Sequence, residues 1–197
     1  MQERSIATRA ELLEAAARVF SRMSYAEARL KDVSDESGIS AGSMYFHFGN
    51  KVDIARTILE MQQERMRATF TAVLQEQATG LDSLLAITDG LAELIATDVV
   101  VQAGIKLSMQ PGTGLGSSAK APYFEWIETA ASLIRRGIED GSIKPTVDAN
   151  SAAEYSNVVF VGAQILSELE DSWKSFPDRL RRMRPHILNV LDGSSAS

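Results

Sequence analysis

The chain has 197 residues, 45% of them apolar and 23% charged, which is enough to bury the core of one or two compact domains. Twenty Lys and Arg against 26 Asp and Glu give a formal net charge of −6. That excludes a protein basic all over, though not a local DNA-binding face, because charge can segregate within a chain. The absence of cysteine excludes disulfides, thiolate metal sites and a cysteine nucleophile.

The two histidines, His47 and His186, stand far apart in sequence, so no metal centre and no cofactor is expected. The first residues, Met1 to Ser5, lead into a polar helical pattern with no apolar signal core. The longest apolar runs, such as Val158 to Ala163, fall far short of the ~18 residues of a membrane span. A cytoplasmic protein with no membrane partner is expected.

Taken in chain order, nearly every long segment repeats its apolar residues at helical spacing, and period-two alternation is nearly absent. Leu12, Leu13, Ala16, Val19 and Phe20 predict a first helix of about four turns with one apolar stripe. Short helices are predicted over Leu30 to Ser37 and Ser40 to Phe46. A long one follows from Lys51 to Gln77, with Asn50 as its N-cap. Further helices are predicted near 82–97, 99–109, 119–140, 148–171 and 177–191. Asp148 suits an N-cap, and Pro177 suits a first turn, where its missing N–H costs little. Gly141 and Gly193 sit at expected helix stops. The fold class is all-α.

Residues 110–118 form the clearest break. Their Gly-x-Gly-x-Gly spacing superficially resembles a phosphate loop, but no strand precedes it, so a connection between helices is expected. The last five residues, Gly193 to Ser197, are expected to fray.

The informative stretch runs from Leu30 to Phe48. Gly38 can take a positive φ at no steric cost and turn the chain between two short helices. Leu30, Val33, Ile39, Met44 and Phe48 can close a small core with the first helix. Ser40, Ala41, Gly42, Ser43, Tyr45, Phe46 and His47 then supply an outer face. Small residues at a helix start allow close entry into a major groove, where free N–H groups favour phosphate oxygens. Arg29 and Lys31 can reach phosphate or a base edge, and Lys51 can hold a phosphate from the far side.

Gly38-Ile39-Ser40, Met44-Tyr45-Phe46-His47-Phe48 and Lys51 resemble the signature of the TetR family of transcriptional regulators. The resemblance implies a homodimer, with a three-helix, helix-turn-helix DNA-binding head over 1–50 and a larger helical ligand-binding and dimerisation body over 51–197. By position, it gives Tyr45, His47 and Lys51 to the DNA backbone, and Ser40 to Ser43 to backbone or bases. It lets Phe46 pack on sugar or a thymine methyl. Two positions depart from the family pattern. Ser24 stands where a glycine is usual after the first helix, and Arg29 replaces a capping threonine, a loss of about 1 kcal/mol. Residues 1–51 carry seven positive and seven negative side chains, against 13 and 19 in the remainder. DNA affinity therefore has to rest on a few placed contacts.

Ile58-Leu-Glu-Met-Gln62, Ala103-Gly-Ile-Lys-Leu107 and Pro122-Tyr-Phe-Glu-Trp126 are similar to the γ-butyrolactone receptor branch. That resemblance implies a small-molecule effector of butyrolactone type, with Gln62 and Trp126 lining the pocket. Ala163 falls where the branch often has threonine. From the residues alone, Trp126 reads equally as core and Gln62 as an exposed helical residue. The dimer interface is expected from Val158, Val159, Val161, Gly162, Ile165 and Leu166, joined by Leu180, Met183, Ile187 and Leu191, although burial within one subunit explains the same pattern. Arg179, Arg181, Arg182 and Arg184 read as a solvated face answering Glu168, Glu170 and Asp171.

The expected function is a ligand-responsive repressor that binds a double-stranded, near-palindromic operator. Two alternatives stay open: an adaptor of the same fold without DNA binding, and a helical enzyme. The second lacks both a Gly-x-Ser-x-Gly elbow and a His-Glu-x-x-His pair.

Overall fold

The computed structural model describes residues 2–74, 79–110, 112–113, 115 and 121–192, with the side chains of 2–4, 73 and 121–123 left aside. The expected end of the long helix at 75–77, most of the 110–118 connection, the helix start at 119–120, the stop at Gly193 and the tail lie outside the described residues. Among the described residues are nine helices and no strand.

Helix α1 (Gln2–Arg22) starts well before its apolar stripe and is longer than predicted. Leu12, Leu13, Ala16, Val19 and Phe20 are all buried. Helix α2 (Leu30–Ser37) ends at Gly38, whose φ of +70° is the left-handed conformation glycine adopts without strain. Ser40 then caps α3 (Ala41–His47), its hydroxyl accepting from the Ser43 N–H at 3.3 Å. Asn50 opens α4 (Lys51–Leu74) by accepting from the Asp53 N–H at 3.0 Å. Each cap satisfies a donor that the first helical turn leaves without an intrahelical partner.

Helix α5 (Gly80–Thr97) is followed by Asp98, which caps α6 (Val99–Met109), its carboxylate accepting from the Val100 and Val101 N–H groups at 2.9 and 3.2 Å. Helix α7 (Ala121–Asp140) stops at Gly141, with φ +80°. Asp148 caps α8 (Ala149–Asp171) through the Ser151 N–H at 2.7 Å. That helix ends without glycine: Ser172 and Trp173 both take positive φ. The Trp173 N–H donates to the Ser167 carbonyl at 3.0 Å, and the indole is 1% exposed. Full burial of a large apolar side chain is worth about 1.5–3 kcal/mol, which offsets much of the cost of the two left-handed residues. Helix α9 (Phe176–Leu191) carries Pro177 in its first turn.

The helices gather into two compact units. One holds Met1–Arg65 with Asp98–Ala121, the other Met66–Thr97 with Pro122–Ser197. These are groupings by packing, whereas the sequence division after residue 50 is one by role. In the first unit Val33, Met44 and Phe48 are buried and Leu30 and Ile39 pack against them. The same core continues through Ile54 and Ile58 of α4 to Val100, Ala103 and Leu107 of α6. In the second unit α5, α7, α8 and α9 bury Ile87, Leu91, Ile134, Ala153, Phe160 and Phe176.

Candidate nucleic-acid interface and ligand cleft

Helix α3 buries one large side chain, Met44, and turns the rest outward. Phe46 is 82% exposed and Tyr45 is exposed beside it. Ser40, Ala41 and Gly42 are also exposed, while Ser43 and His47 are half-buried. The Phe46 ring meets the His47 imidazole edge-on at 5.3 Å. A Cβ built on Gly42 meets nothing within 4 Å, so this glycine is not required by packing inside the chain. A phenylalanine left this bare is a candidate contact surface, because no folding energy is gained from it within the chain.

Arg29 occupies the N-cap position of α2 without giving a side-chain cap. Asp32 answers instead, accepting from the Arg29 N–H at 2.7 Å, so the local loss expected from the missing threonine is partly offset. The guanidinium stays exposed. Lys31 is exposed and pairs with Asp35, one turn on, at 2.6 Å. Such a surface pair contributes little and is readily exchanged for a phosphate.

Lys51 is more engaged than its sequence position suggests. Its ammonium donates to the carbonyls of Tyr25 and Ala28 at 2.6 and 2.9 Å. It also lies 4.2 Å from the centre of the Tyr25 ring. A lysine has three donors, and two are committed to holding the α1–α2 turn.

That turn also explains why Ser24 can replace glycine. Ser24 has no positive φ. Its hydroxyl donates to the Glu27 carboxylate at 2.6 Å, and the Glu27 N–H returns to Ser24 Oγ at 3.3 Å. Ser24 and Glu27 thus close the α1–α2 turn on themselves, a pairing only three positions apart in the sequence. Two other anchors lacked any sequence signal. Glu36 takes Arg18 Nε at 2.8 Å and Arg22 at 2.5 Å, fastening α2 to α1. The hydrogen bonds from Arg22 and then Arg18 hold its carboxyl below the usual glutamate range. The Tyr25 N–H donates to Gln110 Oε1 at 2.6 Å, tying the same turn to the end of α6.

The two residues expected to line a pocket fall in different units. In the first, Gln62 is buried and its side chain crosses α6 at Gly104. A Cβ there would stand 2.5 Å from Gln62 Cβ. In the second unit Trp126 is half-buried, edge-on to Phe70 at 5.0 Å and 6.5 Å from the Phe160 ring. Trp126 also lines a cleft with Leu84, Leu85, Thr88, Asp89, Ser156, Phe160, Leu180, Arg184 and Ile187. The enclosed space is about 20 Å³, room for little more than one water, and the rest of the cleft opens to solvent.

Helix α8 leaves much of its apolar run exposed. Val158 is 63% exposed, and Gly162, Ile165 and Leu166 are exposed with it. Val159 and Val161 flank them half-buried. The stripe also takes in Tyr155 and Leu169, the latter 78% exposed. On α9 the expected interface residues Leu180, Ile187 and Leu191 point into the second unit and are buried there. Their apolar area is already consumed inside the chain; Met183 is half-buried. The arginines of α9 also divide. Arg179 pairs with Glu170 and donates to Ser167 Oγ, and Arg181 pairs with Asp178 of its own helix. Arg184 turns away from the α8 acids to Asp89 of α5.

An exposed recognition-type helix on a three-helix head, followed by an all-helical body, defines a helix-turn-helix regulator. The chain belongs to the TetR family of bacterial regulatory proteins. Residues 12–58 match the family's N-terminal model, and residues 78–191 match a tetracyclin repressor-like C-terminal domain.

Among curated relatives, the A-factor receptor protein of Streptomyces griseus is 28% identical over 187 residues, covering 95% of this chain. The chain spans 64% of that relative's length. The transcriptional repressor KstR2 of Mycobacterium tuberculosis is 24% identical, covering 72% of each chain. Among solved structures, the TetR-family protein CprB from S. coelicolor aligns with a TM-score of 0.82 at 28% identity, over 94% of this chain and 89% of its own. A γ-butyrolactone receptor described as ArpA-like aligns at 0.72 and 25% identity, over 91% and 98%. CprB has also been solved with its operator sequence, and that chain aligns at 0.80. Among the described residues no helix is long and apolar enough to cross a membrane.

Proposed function

We propose that the chain is a cytoplasmic, ligand-responsive transcriptional repressor, binding a near-palindromic double-stranded operator as a homodimer and released by a small, mostly apolar γ-butyrolactone-like molecule. The observation that carries the DNA half is the outer face of α3, where Tyr45 and Phe46 stand exposed above a buried Met44. Ser40, Ala41, Gly42 and Ser43 bring the helix start against the groove, and Phe46 meets sugar or a thymine methyl. Arg29, Lys31, Tyr45 and His47 take phosphates, as does the one Lys51 donor left over. The CprB structure with its operator supports the same use of the head.

The exposed α8 stripe supports dimerisation. Tyr155, Val158, Gly162, Ile165 and Leu169 recur at alternating steps of three and four, the seam that two packed helices share. For the ligand, the cleft of the second unit offers an apolar wall with Trp126 in it. Gln62 carries the same proposal on the family resemblance alone. Ligand releases DNA by binding more tightly to a conformer whose heads no longer match the half-sites, a coupling of about 1–3 kcal/mol.

The test is selection of bound sequences from a random duplex pool, then a salt titration on the winner. A near-palindrome with half-sites about 34–36 Å apart is expected. Arg29→Ala and Tyr45→Ala should each weaken binding. Arg29→Ala should also lower the salt slope by about one. No enrichment by folded protein would overturn the repressor reading and favour an adaptor.

A further inference from the structure

The polar part of the Trp126 cleft is an ion pair. Its deep walls are apolar, with Leu84, Phe160, Leu180 and Ile187 all buried. The hydroxyls present are already committed as donors: Thr88 to the Leu84 carbonyl at 2.7 Å and Ser156 to the Ala152 carbonyl at 2.8 Å. Both therefore face a ligand as acceptors only. The charged groups are Asp89 from α5 and Arg184 from α9, hydrogen-bonded to each other with side chains 47% and 35% exposed. Their partial exposure puts them on the solvent side, where a side chain can move, while the enclosed space of about 20 Å³ is too small to take a ligand as it stands.

We infer that the Asp89–Arg184 pair is the specificity device of this cleft, selecting an uncharged amphiphile over a carboxylate of the same skeleton. The inference rests on the proposal that a lactone-type effector binds in this cleft. The argument is one of charge balance. A lone arginine at the mouth would draw a carboxylate, but here its charge is already matched by Asp89. A second carboxylate entering beside Asp89 meets a like charge at close range, a repulsion that partial exposure weakens but does not remove. An uncharged head escapes that repulsion. Its carbonyl accepts from Arg184, its hydroxyl donates to Asp89, Thr88 or Ser156, and its chain lies against Trp126 and Phe160. Opening a lactone ring to the hydroxy acid adds one negative charge with little change of size, so the cleft would distinguish a signal from its hydrolysis product.

Calorimetry on the full chain tests this with a hydroxyl-bearing, long-chain γ-lactone and the sodium salt of its ring-opened acid. The unchanged protein should prefer the lactone by at least about tenfold. Asp89→Asn, which keeps the shape and a hydrogen-bonding group, should bring the ratio to about threefold or less by admitting the acid. Arg184→Met, which keeps the side chain's length but removes every donor, should weaken the lactone about tenfold. Equal binding of both compounds by the unchanged protein, or an unaltered preference in Asp89→Asn, overturns the inference while the lactone reading stands. Binding of neither compound overturns both. The comparison within the unchanged protein needs no variant to fold.

Discussion

Gly80 and Gly137 meet backbone to backbone: a Cβ built on Gly80 would lie 2.6 Å from the Gly137 Cα and 2.5 Å from the Leu133 carbonyl oxygen. The first turn of α5 is pressed against α7 and cannot retreat, because Asp140 accepts from the Gly80 N–H at 2.6 Å. Gly80→Ala should therefore destabilise the second unit by about 3 kcal/mol, at the upper end of overpacking costs, since backbone rather than a flexible side chain must yield. Alanine's helix preference offsets little at the first helical position. Urea unfolding gives the measure; an unchanged midpoint would mean that the α5–α7 contact is looser than it looks.

Gly42 is the opposite case. Nothing surrounds the Cβ that alanine would add, and Gly42 sits within α3 without a positive φ. Gly42→Ala should leave stability unchanged or raise it by up to about 1 kcal/mol. Operator affinity should fall all the same, because the added methyl lies on the side offered to DNA. A variant both more stable and fully active in a mobility-shift titration would move the close approach away from this residue.

Lys51→Met should cost about 2 kcal/mol in thermal or urea unfolding, since the Tyr25 and Ala28 carbonyls both lose a charged donor. If the third donor reaches a phosphate, the salt slope of operator binding also falls by about one. A loss of stability with no change of slope would assign the lysine to the α1–α2 turn alone.

These residues show what a sequence discloses. Asn50, Asp148 and Gly38 act within a turn of their own position, so capping chemistry and the demand for positive φ locate them directly. Met44 and Phe46 were separable as inner and outer because helical period alone decides which side each faces. Lys51, by contrast, reaches carbonyls more than 20 positions back, and Asp140 caps a helix that begins 60 positions earlier. Neither pairing leaves a local pattern. On α9 an apolar stripe cannot say whether its partner is the same chain or a second copy. Leu180, Ile187 and Leu191 turned out to be occupied internally, whereas Val158 and Leu166 did not.

Glu36 gives the head an acid-sensitive fastening. Hydrogen bonds from Arg22 and then Arg18 depress its folded-state pKa below the unfolded value. The stabilisation is present above the ordinary glutamate range, about 4.3, and is lost as pH falls through the depressed value. In urea, which leaves ionic strength low, Glu36→Gln should unfold earlier than the unchanged protein near neutrality. The two midpoints should converge in acid, once the native carboxyl is protonated. A gap between them that stays constant down to pH ~2 would remove the arginine pairs as its cause.

The α8 stripe yields the sharpest test of assembly. Val158 and Leu169 are among the most exposed apolar side chains of the chain, so charging them disturbs nothing inside one subunit. The double variant Val158→Lys, Leu169→Lys should keep its helical circular dichroism and much of its thermal stability. It places two ammonium groups on each copy of a self-complementary face, four in the assembled pair, where apolar side chains would otherwise pack. Sedimentation should show a monomer where the unchanged chain is dimeric. Operator binding should fall to that of a single half-site, because one head no longer positions the other one turn away along the duplex. A folded variant that stays dimeric would place the interface elsewhere and leave α8 without a role in assembly.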